Sequence, residues 1–179
     1  MSVLLTASLS ATLPLSAASH VDVVKMRTEN QVNPLGIGTS TPRFSWQITS
    51  DRKGVVQTSY QILVASSREK LDRNEADLWD SGERNSDEQL WIPYQGKALL
   101  SGAQAYWKVR ITTNKGKSEW TEPQLFTIGL LGETKWSGTW IGLEDLQPGE
   151  QKGMHTRLAA RYIRKDFAAK GKVKRAVAY

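Results

Sequence analysis

The sequence has no cysteine, which removes both a disulfide framework and a thiolate metal site. Stability must therefore come from burial. Histidine is nearly absent too: His20 and His155 are the only two, far apart and in irregular segments. A Ser-His-Asp triad or a zinc site needs an oriented imidazole with partners, and neither residue has them nearby in sequence. No glycine-rich loop links a strand to a helix, and Gly36-Ile37-Gly38 reads as turn-making glycine. Beyond the first twenty residues no stretch approaches the roughly 20 apolar residues of a membrane span.

The chain carries a net charge of +6, but not evenly. Residues 152–179 hold nine Lys/Arg against Asp166 alone, which leaves the first 151 residues slightly acidic. In that tail Arg161, Lys165, Lys172 and Lys174 alternate with apolar neighbours, as on a solvated strand face. A nucleic-acid surface would instead be built into the fold and interleaved with stacking aromatics, so no nucleic-acid partner is expected.

What the sequence does have is β-forming residues: seven Trp, five Tyr and three Phe among many Val, Ile, Thr and Ser. Residues 3–18 are small and apolar and end in Ser16-Ala17-Ala18, which reads as a signal peptide or a disordered leader over 1–20. No basic residue follows Met1 to complete a signal peptide. An exported, periplasmic or secreted protein is the expectation. From Arg43 onward Phe44, Trp46 and Ile48 alternate with polar residues, a half-buried strand. After the turn Asp51-Arg52-Lys53-Gly54, the residues Val56, Thr58, Tyr60, Ile62 and Val64 predict the inward face of a second strand. Ser66-Ser67-Arg68-Glu69 fits a capping box with Ser66 as the cap, followed by a helical turn over 68–72. Leu78–Gly82 and Gln89–Pro93 read as brief strands. Trp107, Val109 and Ile111 mark a strand over 106–113, turned at Asn114-Lys115-Gly116 and returning over 118–128. Short strands at this spacing predict an all-β, antiparallel sandwich of the fibronectin-type-III or immunoglobulin kind over residues 21–131. Residues 132–179 read as a linker, polar over 144–155, and the incomplete start of a second β-sandwich, with strands at 159–167 and 173–179.

Chemistry is sparse. The carboxylate pairs Asp77/Asp80 and Glu144/Asp145 lie in polar turns and read as surface charge. Glu144, Asp145 and Glu150 lack the regular ligand spacing of a calcium loop. No catalytic residue, cofactor or metal site is predicted. Trp79, Trp91 and Trp136 are the candidate sugar-facing side chains, set against the alternative that they pack in a core or a domain interface.

Several runs together resemble the amino-terminal portion of bacterial α-L-rhamnosidases: Met26-Arg27-Thr28-Glu29-Asn30, Asn33-Pro34-Leu35-Gly36-Ile37, Pro42-Arg43-Phe44-Ser45-Trp46, Gln57 to Ser66, Leu78-Trp79-Asp80-Ser81-Gly82 and Tyr106-Trp107-Lys108-Val109-Arg110. The resemblance runs from about residue 22 to the end. It implies a fibronectin-like sandwich first, then a second sandwich beginning near Trp140-Ile141-Gly142, with an early strand at 161–167. Further β domains around an (α/α)6 barrel would follow, and that barrel would hold the two carboxylates of an inverting glycosidase. The partners implied are those missing domains of the parent and, through the parent, rhamnosylated glycans. No barrel position lies in these 179 residues, so the chain reads as an inactive leading fragment. A free-standing carbohydrate-binding or adhesion module is the alternative.

Overall fold

The computed structural model describes residues 21–132, 138–139, 149–150, 153, 162–173 and 175–177. The leader at 1–20, both histidines, Trp136, Trp140-Ile141-Gly142 and Glu144/Asp145 lie outside the described residues. The chain divides into two units, 1–135 and 136–179.

In the first unit the elements run β1 (Val21–Thr28), β2 (Arg43–Ser50), β3 (Gln57–Ala65), α1 (Arg68–Asp72), β4 (Trp79–Asp80), β5 (Arg84–Asn85), β6 (Ile92–Pro93), β7 (Gln104–Thr113), β8 (Gly116–Lys117) and β9 (Gln124–Thr127). They form two sheets. One is β1-β2-β6; the other is β4-β3-β7-β8, with β5 also on β3 and β9 also on β7. All these named pairs are antiparallel. The chain changes sheet between β2 and β3, returns at β6 and changes again at β7, as a sandwich requires.

The alternation read from the sequence explains the core. Phe44 and Trp46 of β2 face Ile62 and Val64 of β3 and Trp107, Val109 and Ile111 of β7, and all seven are at most 1% exposed. Rings dominate the contact: Phe44 lies 4.4 Å from Trp107, 5.8 Å from Phe126 and 6.3 Å from Trp79. Aromatic pairs at such spacings add about 0.5–1.5 kcal/mol each beyond the area they bury.

The start of β3 departs from simple alternation. A bulge between Gln57 and Ser59 puts two residues opposite one on β7 and reverses the phase. Val56, expected inside, is 53% exposed, while Gln57 is 2% exposed. The buried amide is fully used. Its Oε1 accepts from the Trp46 indole N–H at 3.0 Å, and its Nε2 donates to the carbonyls of Ser86 and Glu88, each at 3.0 Å. A hydrophobic residue there would leave those groups without a partner.

The outer face of β3–β7 has its own small cluster, Leu63 and Ala65 capped by Leu71 of α1. The helix starts at Ser67 rather than Ser66: the Ser67 hydroxyl accepts from the Lys70 N–H. Ser66 is drawn away because its N–H and hydroxyl both donate to Asp77, at 2.9 and 2.7 Å. Lys70 Nζ joins the same carboxylate at 2.6 Å. At the other end Lys108, 5% exposed, donates to the Leu71 carbonyl and to Asn74 Oδ1 at 2.7 Å. Burial lowers the pKa of this ammonium.

The return from β7 is interrupted. Only 116–117 and 124–127 pair with it; between them Ser118 Oγ and Thr121 Oγ1 accept from the Ile111 and Val109 N–H groups in place of backbone carbonyls. The second unit, taken alone, shows no strand among its described residues, and Tyr162 and Phe167 are exposed. The alternation expected to make strands at 159–167 and 173–179 therefore has no ladder in the described parts of those runs. A period-two pattern becomes a strand only where a neighbour takes its backbone hydrogen bonds. Among the described residues no helix is long and apolar enough to cross a membrane.

Two expected outcomes test the bulge and the helix cap. Gln57→Leu should lower the unfolding free energy in urea by about 1–3 kcal/mol, because the buried Trp46 indole N–H loses its acceptor and two loop carbonyls lose their donor, whereas Val56→Ser should change it by less than about 0.5 kcal/mol. Asp77 is the pH-sensitive group. Burial alone would raise its pKa, but the bonds from Lys70 and Ser66 outweigh it and bring the value down to about 2, from an ordinary 3.8. A depressed carboxylate adds stability that is complete above the unfolded value and is lost as pH falls through the folded one. Thermal melts should therefore show Asp77→Asn less stable than the parent by about 1 kcal/mol at pH 7, with the difference closing between pH 4 and 2.

Candidate functional site

Of the described tryptophans, Trp46 and Trp107 are core, with exposures of 1% and 0%. Trp79, a candidate sugar-facing residue, turns its ring into the same aromatic group, 6.3 Å from Phe44 and 5.4 Å from Tyr94. Gly96 is what lets the chain pass over it, since a Cβ at that position would lie 2.4 Å from the Trp79 Cβ. Trp120 is half-buried beside the Arg110 guanidinium, 4.4 Å from its ring centroid, and the Lys108 ammonium, at 5.1 Å.

Trp91 is the exception, 42% exposed. Its backbone takes a φ of +60°, uncommon for a bulky side chain. Two neighbours hold it there: its N–H donates to Ser45 Oγ at 3.0 Å, and the next residue, Ile92, pairs with Phe44. The Arg43 guanidinium lies 4.2 Å from the indole centroid, a cation–π contact.

The arginine is itself gripped. Thr28 and Gln31 exchange two 2.9 Å backbone bonds around Glu29 and Asn30, both at positive φ, so β1 ends in a tight turn with Glu29 at its tip. From there the Glu29 carboxylate accepts from the Arg43 backbone N–H at 2.8 Å, from Nε at 3.0 Å and from NH2 at 2.7 Å. The Glu29 N–H donates to the Arg43 carbonyl at 3.0 Å. The guanidinium hydrogen bonds, against an opposing effect of burial, lower the Glu29 pKa. The result is a braced row of Glu29, Arg43 and Trp91. Sequence reading singled out Trp91 but not its two supports, because the pairing crosses 14 residues in one step and 48 in the other.

The remaining polar candidates are occupied by structure. Asp80 Oδ1 accepts from Gln61 Nε2 and from the Gly82 N–H, closing the turn after β4. Among the described residues no three His, Asp or Glu side chains converge as metal ligands would. The Asn33–Ile37 run lies against the edge of β9: Ile37 and Gly36 donate to Thr127, and Asn33 accepts from Leu125. Gly36 and Gly129 touch closely there, and a Cβ on Gly129 would lie 2.9 Å from the Gly36 carbonyl oxygen.

Comparison with known proteins identifies this domain. The family model described as the Rha78A-like, N-terminal immunoglobulin domain matches residues 23–132. An α-L-rhamnosidase of Formosa agariphila is 39% identical over 127 residues, covering 70% of this chain and 13% of that protein. An α-L-rhamnosidase of Alteromonas sp. (strain LOR) is 35% identical over 153 residues, 84% of this chain and 16% of that protein. Among solved structures, the Streptomyces avermitilis α-L-rhamnosidase complexed with L-rhamnose superposes with a TM-score of 0.64 at 36% identity, covering 69% of this chain and 12% of that one. The α-L-rhamnosidase from Dictyoglumus thermophilum gives 0.60 at 36% identity, covering 62% and 12%. The chain thus spans less than a fifth of the relatives it matches. With a sandwich of two antiparallel sheets and a family match across that sandwich, the chain belongs to the family of Rha78A-like N-terminal immunoglobulin domains.

Proposed function

We propose that this domain serves as a non-catalytic accessory part of an α-L-rhamnosidase, a spacer and packing partner for a catalytic barrel elsewhere in the parent protein. The observation that carries the reading is the narrow cover: the relatives named α-L-rhamnosidase match this chain over 12–18% of their own length. The interior of the domain agrees with a mechanical role, because it is filled by packed rings and aliphatic side chains rather than by a polar cleft. Inverting glycoside hydrolysis needs one carboxyl group as acid and another as base across a water-sized gap. The carboxylates of Glu29, Asp77 and Asp80 in the sandwich are instead bonded to Arg43, to Lys70 and Ser66, and to Gln61 and the Gly82 N–H. The apolar leader over residues 3–18 favours export of the parent to the periplasm or medium.

The purified chain should release no aryl product from an aryl α-L-rhamnoside above the uncatalysed rate, and measurable turnover would sink the accessory reading. In the Streptomyces avermitilis enzyme, removing the matching domain should shorten the half-life at elevated temperature while leaving kcat/KM of surviving enzyme within about threefold, because packing rather than transition-state contacts would be lost.

A further inference from the structure

Charge is spread unevenly over the sandwich. Charged residues make up 23% of the sequence, yet residues 33–42, 98–105 and 123–132 contain no Asp, Glu, Lys, Arg or His. Folding brings these three segments together where the chain leaves the sandwich. The Gly129 N–H donates to the Ile37 carbonyl at 2.9 Å, the Gly102 N–H to the Ile128 carbonyl at 3.1 Å, and the Leu131 N–H to Ser101 Oγ at 3.0 Å. Each segment also presents a leucine to solvent: Leu35 is 76% exposed, Leu100 73% and Leu130 38%. A shallow hollow there is lined by residues 38–40, 100–101 and 131–132. The opposite ends of β2 and β7 differ: the turns at 51–54 and 114–117 are exposed and carry Asp51, Arg52, Lys53, Lys115 and Lys117.

A single exposed leucine is ordinary surface. Three of them on segments bonded to one another and free of charge are not, because depletion of charged residues marks the centre of an interface. What covers the patch follows from where the chain goes. The family match ends at residue 132, inside the patch, and the α-L-rhamnosidases that match do so over 12–18% of their own length. In such a protein the polypeptide that continues starts from the patch itself. A partner tethered that closely is present at high effective concentration, so a modest apolar contact suffices to hold it.

We propose that the uncharged patch around Leu35, Leu100 and Leu130 is the face by which this domain docks on an apolar surface of the remainder of the parent α-L-rhamnosidase. The inference rests on the accessory reading and adds to it the face that does the packing.

The test uses the full-length Streptomyces avermitilis enzyme, with aspartate placed at the two positions that superpose on Leu35 and Leu100. The control places aspartate at the two positions that superpose on Val56 and Leu90, which are exposed but lie outside the patch. A carboxylate forced into an apolar contact is costly. The patch pair should therefore shorten the half-life at elevated temperature by about fivefold or more, with kcat/KM of surviving enzyme kept within about threefold, while the control pair changes the half-life by less than about twofold. In the 179-residue chain, where Leu35 and Leu100 face solvent, Leu35→Asp with Leu100→Asp should lower the melting temperature by less than about 5 °C, which separates loss of docking from loss of folding. If that pair unfolds the chain, Leu35→Gln with Leu100→Gln and the matching glutamines in the enzyme carry the same comparison. Equal effects of the patch and control pairs would overturn the proposal. So would sedimentation showing that the chain self-associates and that the patch pair disperses it, since the occupant would then be a second copy. If removing the whole matching domain leaves the half-life unchanged, the accessory reading itself fails; if removal shortens it and the patch pair does not, only the choice of face is wrong.

Discussion

The contact between Phe44 and Trp107, 4.4 Å apart at the middle of the sandwich, is the one on which the other elements depend. Phe44 belongs to the three-stranded sheet and Trp107 to the larger one, so this pair joins the two layers. Trp79, Tyr94 and Phe126 then pack around Phe44, which gathers β4, the segment after β6 and β9 about one ring. The arrangement has a cost. Among the described residues the buried Trp107 indole N–H finds no acceptor, worth about 1–3 kcal/mol. Burying two large rings outweighs it, at about 25 cal/mol for each Å² of apolar area removed from water.

Polar groups are admitted to the interior only where they complete a set of bonds. Gln57 ties Trp46 to the carbonyls at 86 and 88, and Lys108 ties the end of α1 to β7. Both act on segments that lack a long ladder of their own. The loop from 86 to 91 reaches β6 with few backbone pairs, and α1 has only five residues. A side chain that bonds such a segment at two points replaces the ladder it lacks. The same logic orders the surface row of Glu29, Arg43 and Trp91, where a turn, a strand and a loop meet through side chains as well as backbone.

Much of the architecture was legible because β-sandwich strands write their inner face at every second residue. Phe44/Trp46 and Trp107/Val109/Ile111 were read as inward and are inward. The helical turn at 68–72 and the brief strands at 79–80 and 92–93 also follow from local turn and cap residues. Reading failed where one residue changed the phase. The bulge at the start of β3 exchanged Val56 for Gln57, and the Asp77 carboxylate moved the cap from Ser66 to Ser67. β1, with its own register shift and Lys25 at positive φ, showed no clean alternation and went unread.

Sequence alone determined the class of fold, the inner face of the long strands and the family resemblance, since each rests on spacing between near neighbours. Tertiary structure alone decided which tryptophans are spent on packing. Trp79 and Trp91 both stand in short edge strands or beside them, and nothing local separates them. One meets Phe44 and Tyr94 and is drawn inward; the other meets Ser45 and Arg43 and is held out. The difference lies in partners more than ten residues away in the chain, which only folding brings together.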